Sequence, residues 1–396
     1  MSDPGSGAPE LQPERPGAGL PVLEDLASGG LEGRRLLVRV DMNVPITVEK
    51  RGERTVADDY RIRAALPTLR WLTERGALVT ACTHLGRPPD GPDPRFDVSP
   101  VRARLEELLP GVKLLENLRF SAGEAENDEA FVGQLADGND LYVNDAFGAC
   151  HRRHASIVGV PAVLPSAAGR LVEREVVELS GILRSPAYPF VVVVGGAKVA
   201  DKLGLISALA ERADRLIIGG GMAFSFTEAL GFSAGDSLVD RGRLAECRRI
   251  LAEHANVTVP SDFVIEASGD VRTSGQEIPV GWRGADIGPA TGEEYCELIA
   301  GAGSVLWNGP MGIFEDPRFA SGTRAVALAV AACRGRTVVG GGDSAAAVNA
   351  LGIAGQIDHV STGGGATLGL LEHGDLPGLA ALRESGRHFL GKGAVG

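Results

Sequence analysis

Short apolar runs recur along the chain and alternate with amphipathic segments. Seven of these runs have the length of a β-strand. They are LLVRV (36–40), LVTAC (78–82), LYVN (141–144), FVVVV (190–194), RLIIG (215–219), SVLW (304–307) and TVVG (337–340). FVVVV shows no alternation of apolar and polar positions, which predicts a strand buried on both faces, as in a parallel sheet covered by helices.

Helical periodicity marks the segments between these runs. In DKLGLISALAERAD (201–214), the residues that fall on one face of a helix are Leu203, Ile206, Leu209, Ala210 and Ala213. GRLVEREVVELSGILRSP (169–186) predicts one longer helix that ends before Pro186. Because strands and helices alternate, the pattern predicts an α/β fold built on doubly wound parallel sheets.

The length of 396 residues suits two domains of ordinary size. We therefore predict two doubly wound, Rossmann-like domains, at 21–168 and 187–375, joined by the helix at 169–186 as a hinge. The first 20 residues are rich in proline and glycine and lack an apolar segment. They are expected to form a disordered tail rather than a signal peptide.

The composition argues against several classes of function. The formal net charge of −12 argues against nucleic acid or an anionic membrane as the main partner. No apolar run approaches the roughly 20 residues of a membrane span. The five cysteines are scattered singly, which suits a reducing cytoplasm and predicts neither a zinc site nor a disulfide framework.

The sequence near the C-terminus matches two nucleotide-binding motifs by chance. Gly391, Gly393 and Gly396 satisfy G-x-G-x-x-G, but the chain ends where the required helix and acidic residue should follow. Gly386 to Lys392 match most of a P-loop, but Gly393 replaces the serine or threonine that must follow the lysine. The sequence therefore predicts neither a conventional Rossmann dehydrogenase nor a P-loop enzyme.

The first half places chemically active side chains at the ends of predicted strands and at a helix start. They are Asp41, Asn43, Arg61, His84, Arg87, Arg119, His151 and Arg152. Taken alone, each arginine would be a surface charge. Together, at one edge of a parallel sheet, the arginines are expected to form an anion pocket, because the guanidinium fork suits phosphate and carboxylate.

The second half carries cations and glycines suited to phosphates. Lys198 and Lys202 share a helical face if a helix begins near Lys198, although two surface lysines are the alternative. Asp343 stands at a predicted helix start, as either an N-cap or a ligand of phosphate-bound Mg²⁺. The run Gly363–Gly365 precedes another predicted helix, where bare amides can bind an anion.

From about residue 22 to residue 383, the chain resembles the phosphoglycerate kinase family. The strings that carry the resemblance are RVDMNVP, HLGRP, LLENLRF, YVNDAFG, GGAKVADK, IIGGGMAFSF, DIGPAT, WNGPMGIFE, GGGDS and STGGGATL. The resemblance implies a Mg²⁺-dependent enzyme that transfers a phosphoryl group between 1,3-bisphosphoglycerate and ADP, giving 3-phosphoglycerate and ATP. It also implies that 21–168 binds phosphoglycerate, that 187–375 binds the nucleotide, and that 376–396 returns toward the first domain.

The resemblance assigns an acid site to the first domain. The residues it implies there are Asp41, Asn43, Arg61, His84, Leu85, Gly86, Arg87, Arg119 and Arg152. Arg87, Arg119 and Arg152 would grip the 3-phosphate, while the carboxylate and amide that follow the first strand would hold the hydroxyl and carboxyl end. Arg61 is similar to the family arginine that reaches the phosphoryl group in transfer.

The resemblance assigns a nucleotide site to the second domain. The residues it implies there are Gly195, Gly196, Lys198, Lys202, Gly220, Gly221, Glu315, Gly341, Gly342, Asp343 and Ser344. Glycines would form the adenine walls, Glu315 would meet the ribose, the two lysines would meet the phosphates, and Asp343 would hold the magnesium. The implied catalytic group is Arg61, Lys202, Gly364 and Gly365.

Several residues depart from the usual family pattern, namely Met42, Thr83, Ser344 and Gly369. Two alternatives therefore stay open: a kinase of the same fold that acts on another phosphorylated carboxylic acid, and a non-catalytic nucleotide-binding paralogue. Retention of Arg61, Lys202 and Asp343 argues against the second, because binding alone does not require all three. We expect a cytoplasmic monomer.

Overall fold

The structure, a computed structural model, describes residues 19–48, 52–89 and 91–391. The strands of the first half are β1 (Arg35–Val40), β2 (Ile46–Val48), β3 (Arg54–Val56), β4 (Leu78–Cys82), β5 (Lys113–Leu114), β6 (Leu141–Asp145) and β7 (Ser166–Ala168). Those of the second half are β8 (Phe190–Val194), β9 (Arg215–Ile218), β10 (Val257–Thr258), β11 (Asp262–Ala267), β12 (Asp270–Gly275), β13 (Arg283–Ile287), β14 (Ser304–Asn308), β15 (Arg336–Gly340) and β16 (His359–Val360).

Two parallel sheets organise the chain, and both are doubly wound. The strand order is β5-β4-β1-β6-β7 in the first half and β10-β9-β8-β14-β15-β16 in the second. Each sheet therefore grows from a central strand to one side and then to the other. This places topological switch points between β1 and β6 and between β8 and β14, where ligands bind beyond the carboxyl ends of the strands. The predicted fold class is confirmed.

Helices cover both sheets. In the first half they are α1 (Leu23–Ala27), α2 (Tyr60–Thr73), α3 (Ser99–Leu108), α4 (Ala122–Glu126), α5 (Glu129–Ala136), α6 (Val160–Val163) and α7 (Arg170–Arg184). In the second half they are α8 (Leu203–Ala210), α9 (Ala223–Ala229), α10 (Leu244–Glu253), α11 (Pro289–Ala300), α12 (Ser321–Ala332), α13 (Gly342–Ala350), α14 (Gly365–His373) and α15 (Pro377–Phe389). None of the helices in the described part of the chain is long and apolar enough to cross a membrane.

The apolar pattern located the central strands correctly. All seven predicted strands are present with ends that agree within one residue, and every residue of β8 is buried. The helix at 201–214 is shorter than expected: α8 ends at Ala210, so Ala213 lies beyond it. The antiparallel sheet of β12, β11 and β13 was not predicted. Its edge strand β12 is almost entirely exposed and therefore lacks an apolar run.

The last described helix packs against the first half of the chain. The Gly378 amide donates to the Cys150 carbonyl at 2.9 Å, and the Ser385 hydroxyl donates to the Leu164 carbonyl at 3.0 Å. Residues 1–18 of the predicted tail and residues 392–396 of the C-terminal segment lie outside the described residues. The domain boundaries stay a prediction.

The N-terminus of α7 is held by the first half of the chain. Asp145, at the end of β6, accepts hydrogen bonds through Oδ1 from the amides of Leu171 at 2.8 Å and Val172 at 3.4 Å. Thr68 of α2 accepts the Arg170 amide at 2.9 Å. These bonds satisfy amides that a helix start leaves without intrahelical partners. Burial raises the pKa of Asp145 to about 7, despite these hydrogen bonds.

We predict that Asp145→Asn changes how stability depends on pH. The carboxyl has a pKa of about 7 in the folded chain, against about 3.9 when unfolded. Between these values the folded state retains a proton that the unfolded state loses, so the stabilising contribution is complete below about pH 3.9 and is lost as the pH rises to 7. Asparagine keeps the acceptor but does not titrate.

Urea unfolding at pH 5, 6 and 7 checks this. The stability of Asp145→Asn relative to the unmutated protein should rise with pH, by up to about 1.4 kcal/mol per pH unit, the limit for one proton. An exposed control, Asp137→Asn, should show no such trend. Parallel curves for the unmutated protein and Asp145→Asn would show that the buried carboxyl does not titrate in this range.

Candidate functional site

The loop after β1 forms the first part of the candidate site, at the edge of the first sheet. Asp41 is buried, and its Oδ2 accepts a hydrogen bond from the Arg61 guanidinium at the start of α2. Asn43 accepts the Gly86 amide through Oδ1 at 2.8 Å. Gly86 has a φ of +62°, and a β-carbon there would lie 2.4 Å from the Phe96 ring, so only glycine fits.

A buried arginine lies beneath this loop. The Arg39 side chain is 1% exposed, donates from Nε to the Ser156 hydroxyl at 3.0 Å, and lies 3.0 Å from His84 Nδ1. Burial, followed by the charges of Arg39 and Arg119, holds the pKa of His84 well below its usual value. His84 is therefore neutral: Nδ1 accepts from Arg39, which leaves the proton on Nε2 as a donor.

Glu124 balances the buried charge of Arg39. Its Oε1 accepts the Ser156 hydroxyl at 2.6 Å and its Oε2 accepts the Ser156 amide at 2.9 Å. Burial alone would raise the pKa of Glu124, but His154, Arg39 and Ser156 outweigh it and the pKa is lowered. Sequence reasoning missed Arg39 and Glu124. The only signal for Arg39 was a lone charge inside an otherwise apolar strand.

Four arginines crowd together in this half of the site. Burial first, and then the charges of Arg39, Arg152 and Arg87, lower the pKa of Arg119. The Arg119 guanidinium donates to the Gly86 carbonyl at 2.6 Å, whereas Arg87 and Arg152 are exposed and form no ion pair with any described residue. Such a cluster is electrostatically unfavourable until an anion joins it, so the predicted anion pocket has the required charge.

Leu85, one of the predicted acid-site residues, has a structural role. It is buried, and both of its backbone groups pair with the Asn117 side chain, at 3.2 Å to its amide and 2.8 Å to its carbonyl. Asn117 also donates to the Phe96 carbonyl at 2.9 Å. The amide of Asn117 therefore holds the His84–Arg87 loop in place.

The glycine run and the first half meet at one point. A β-carbon on Gly148 would lie 2.7 Å from Asp41 Oδ2 and 3.7 Å from the Gly363 carbonyl. One on Gly365 would lie 3.4 Å from His151 Nε2. As predicted, the run stands at a helix mouth: α14 begins at Gly365, and Gly364 has a φ of +52°. The amides at the mouth of α14 thus lie beside the predicted acid site.

A cavity of about 650 Å³ lies at the switch point of the second sheet. Five of the predicted nucleotide residues line it, namely Gly196, Gly220, Gly221, Glu315 and Asp343. Apolar side chains of Phe224, Leu238 and Ile313 form part of its wall. A cleft with apolar walls and a few polar groups is typical of a small-molecule site.

Glycines allow three loops to pack backbone to backbone beneath this cavity. A β-carbon on Gly195 would lie 2.2 Å from the Pro310 carbonyl oxygen, and one on Gly220 would lie 2.5 Å from the Gly196 nitrogen. Gly309 has a φ of +99°, and a β-carbon there would lie 2.6 Å from Lys202 Nζ. Gly195 therefore shapes the floor rather than lining the cavity.

Lys202 lies at the floor of this site. Its Nζ donates to the Gly195 carbonyl at 2.6 Å and to Asn308 Oδ1 at 2.6 Å. Burial lowers its pKa to about 8, against the opposing charges of Asp343 and Asp201. Asn308 was not predicted. Its Nδ2 is buried with no partner among the described residues and lies 2.9 Å from the position of a β-carbon on Gly341.

The two lysines do not share a helical face, so that prediction is wrong. Residues 195–202 form turns, and α8 begins only at Leu203, after Lys202. Lys198 is exposed and lines a separate cavity of about 300 Å³ with Asp240 and Arg241. The glycine and alanine residues that precede these lysines belong to loops that pack closely against one another. The helix therefore begins only after these loops.

Asp343 lies in the first turn of α13. The N-cap position is Gly341, with a φ of +92°, and no side chain caps this helix. The N-cap interpretation of Asp343 is therefore wrong, and its carboxylate is exposed in the cavity wall. Ser344 is buried, and its hydroxyl accepts the Gly309 amide at 2.5 Å. Gly342 is exposed at the start of the helix.

Helix α7 also carries a link to the second sheet. Glu175 is fully buried and lies 2.8 Å from His359 Nε2 of β16. Its other oxygen accepts the Thr362 amide at 2.7 Å and hydroxyl at 2.9 Å. Thr362 directly precedes the glycine run, so α7 holds the loop whose amides face the acid site. Sequence reasoning assigned no role to Glu175.

Comparisons of the whole sequence find close relatives. The profile of the family described as phosphoglycerate kinase matches residues 23–114 and 110–374. A phosphoglycerate kinase of Rubrobacter xylanophilus is 50% identical over 383 residues, which cover 89% of this chain and 96% of that protein. One of Salinispora tropica is 48% identical over 398 residues, which cover 91% and 98%.

Solved structures agree with the sequence relatives. The structure of phosphoglycerate kinase from Coxiella burnetii matches with a TM-score of 0.82 at 35% identity, covering 90% of this chain and 97% of that one. Phosphoglycerate kinase from Pyrococcus horikoshii matches with a TM-score of 0.80 at 33% identity, covering 93% and 100%. The similarity therefore extends over both sheets.

We predict that ADP binding depends on the protonation of Lys202. Because the pKa is about 8, the ammonium is mostly charged at pH 7 and mostly neutral at pH 9. If the charged form binds the phosphates, affinity should fall about tenfold from pH 7 to pH 9. Calorimetric titration at both pH values measures this. Lys202→Arg, whose guanidinium stays charged, should lose this dependence, and an equal fall in the variant would exclude Lys202 as its source.

Proposed function

The chain belongs to the phosphoglycerate kinase family, and we propose how its two sites carry out the family's reaction. This reaction is the reversible transfer of a phosphoryl group between ATP and the carboxylate of 3-phosphoglycerate, giving ADP and 1,3-bisphosphoglycerate. The arginine cluster beside β1 and β6 holds the acid, and the cavity beside β8 and β14 holds the nucleotide. The observation that carries the assignment is the crowding of Arg87 and Arg152 around Arg119, none of which forms an ion pair with a described residue.

In the acid site, Arg87, Arg119 and Arg152 bind the 3-phosphate. Their charges are close enough to lower the pKa of Arg119, and a phosphate dianion relieves this repulsion. Asp41 accepts from the substrate hydroxyl, while Asn43 and neutral His84 donate to the carboxyl end. Gly86 lets the backbone approach the acid, whereas Leu85 contributes only the packing beneath it.

In the nucleotide site, the glycine-lined cavity holds the base and Glu315 meets the ribose hydroxyls. Lys202 donates to the phosphates, together with the unpartnered amide of Asn308 and the backbone amides around Gly341 and Gly342. Lys198 reaches the phosphates only if its loop moves, because it lines a different cavity in this structure. Ser344 acts through the Gly309 loop that it supports.

The transfer step requires no general base. The attacking carboxylate oxygen is already ionised at pH 7, so the new P–O bond forms as the bond to ADP breaks, and no proton leaves. Arg61, Lys202 and the amides of Gly364 and Gly365 stabilise charge on the phosphoryl group in transit. These amides lie at the mouth of α14, whose dipole favours negative charge.

Asp343 fits the role of magnesium ligand. No group of three metal-ligating side chains occurs in the described ranges, and Mg²⁺ bound with nucleotide usually takes one or two carboxylates, with phosphates and waters completing its shell. The Asp343 carboxylate is exposed in the cavity and close enough to affect Lys202. When bound, Mg²⁺ neutralises phosphate charge. We further propose that the protein acts as a cytoplasmic monomer.

A coupled assay with Mg-ATP and a panel of acids tests the proposed function. We expect turnover with 3-phosphoglycerate that exceeds turnover with glycerate or with other phosphorylated carboxylic acids. Preference for another phosphorylated acid would favour the related kinase that the sequence left open. Nucleotide binding without turnover of any acid would favour a non-catalytic paralogue.

Lys202→Met and Arg119→Ala should impair different steps, the first catalysis and the second binding of the acid. Lys202 contacts the group in transfer, so its loss should lower kcat by roughly 10²-fold or more while leaving binding of the acid almost unchanged. Arg119 contacts a phosphate that the reaction does not alter. Its loss should chiefly weaken binding of 3-phosphoglycerate, by about 2–4 kcal/mol.

Steady-state kinetics with each substrate varied in turn separates the two effects. Some loss of kcat in Arg119→Ala is expected, because remote binding energy can help to drive closure. An unchanged KM for the acid in Arg119→Ala, or near-normal turnover in Lys202→Met, would contradict these assignments.

A further inference from the structure

One cationic side chain belongs to the wall of the nucleotide cavity. Arg283 lines the cavity at the start of β13, and it is the one cation in the cavity wall as far as the structure describes it. Its neighbour Gly284 packs against an aromatic side chain, because a β-carbon there would lie 2.1 Å from Phe224 Cζ. Arg283 therefore adjoins the apolar part of the wall, which suits a flat base rather than phosphates.

The guanidinium of Arg283 is held in one orientation, but only some of its hydrogen-bond donors have partners. Its Nε donates to Glu266 Oε2 at 2.7 Å, and Glu266 is only 13% exposed on the neighbouring strand β11. The two terminal nitrogens have no partner among the described residues. An ion pair with a 55% exposed arginine contributes little stability by itself. It does, however, hold the planar fork at the mouth of the cavity.

The residues around Arg283 leave room for a base. The two positions that follow it are Gly284 and Ala285, so no bulky side chain occupies this part of the wall. The Ser237 hydroxyl accepts the Gly284 amide at 2.8 Å and retains one neutral O–H donor. Asp236 accepts the Gly281 amide at 3.3 Å and offers only acceptor atoms. Arg283 is thus the strongest donor available to the edge of a base.

Purine bases differ at the edge that a guanidinium fork reads. Guanine and hypoxanthine present two adjacent acceptors, N7 and O6, which an arginine can bind bidentately. Adenine presents N7 beside an amino group, so one of the two donors would face another donor. We propose that Arg283 is a base-selecting residue, which binds the N7 and O6 edge of 6-oxopurine nucleotides and raises their use relative to adenine nucleotides.

This inference rests on the proposed nucleotide site, and a specificity ratio tests it. For GTP and ATP, each with Mg²⁺ and 3-phosphoglycerate, kcat/KM would be measured in the unmutated enzyme, Arg283→Met and Arg283→Lys. The GTP-to-ATP ratio should fall about tenfold in both variants, the scale of losing one bidentate contact. Arg283→Lys tests the fork itself, because it keeps the charge and can keep the pairing with Glu266.

Arg272→Met is the matched control. Arg272 belongs to the same small sheet and lies over the Trp282 ring, 3.9 Å from Cζ to the ring centroid, but it does not line the cavity. Its removal takes away an equal charge nearby, so the ratio should stay within twofold. A ratio that falls equally in Arg272→Met, or one that is unchanged in Arg283→Met, would overturn the proposal.

Binding measurements keep this test separate from that of the proposed function. The affinities of GDP, 7-deaza-GDP and ADP would be compared by calorimetry, which requires no turnover. Loss of N7 should weaken binding to the unmutated protein but not to Arg283→Met. A protein that binds these nucleotides with that pattern but transfers no phosphoryl group would contradict only the proposed function. Equal weakening by 7-deaza-GDP in both proteins would contradict only the role of Arg283.

Discussion

Two polyanionic reactants have to be held at the edges of two different sheets, and helix α7 determines how these edges face each other. Its first turn is bound to the first half by Asp145 and Thr68. Its middle is bound to the second half through Glu175, which pairs with His359 and Thr362. The glycine run at the mouth of α14 follows directly. One helix therefore connects the acid site to the amides that face it.

Both sites contain cations whose charged forms are disfavoured in the free protein. Burial and neighbouring arginines lower the pKa of Arg119, and burial lowers the pKa of Lys202 to about 8. In the proposed sites, an incoming phosphate would relieve the repulsion around Arg119 and would replace the lost solvation of Lys202. The site thus has its electrostatic stabilisation arranged before the reactants arrive, so little reorganisation is needed during transfer. Bringing the two sites together excludes water and strengthens these interactions.

The sequence predicted the elements whose residues interact locally and missed those defined by tertiary contacts. The central strands were located by their apolar runs, and the glycine run was located correctly at a helix mouth. The start of α8 was placed about five residues too early, near Lys198 instead of Leu203, because loop packing around Gly195 and Gly220, which no local pattern reveals, delays it.

Among the site residues, the sequence located those in recognisable motifs, including the buried Asp41 and His84, but it missed Arg39, Asn117 and Asn308. Arg39, Asn117 and Asn308 function through partners distant in sequence, such as His84, Leu85 and Lys202. Their side chains stand in strands or turns where one polar residue among apolar ones has no distinctive spacing. Asp343, in contrast, was found, but its position in the sequence allowed two roles, an N-cap or a magnesium ligand. The cap geometry of α13 excludes the N-cap role.

The central claim is the proposed reaction itself, which requires the acid site and the nucleotide site to come together as the two halves close about α7. Small-angle X-ray scattering measures this directly, with the free protein, with 3-phosphoglycerate, with a non-hydrolysable Mg-ATP analogue, and with both ligands together. The account predicts that the radius of gyration falls more with both ligands than with either one alone. A radius that stays the same under saturation by both ligands would contradict it.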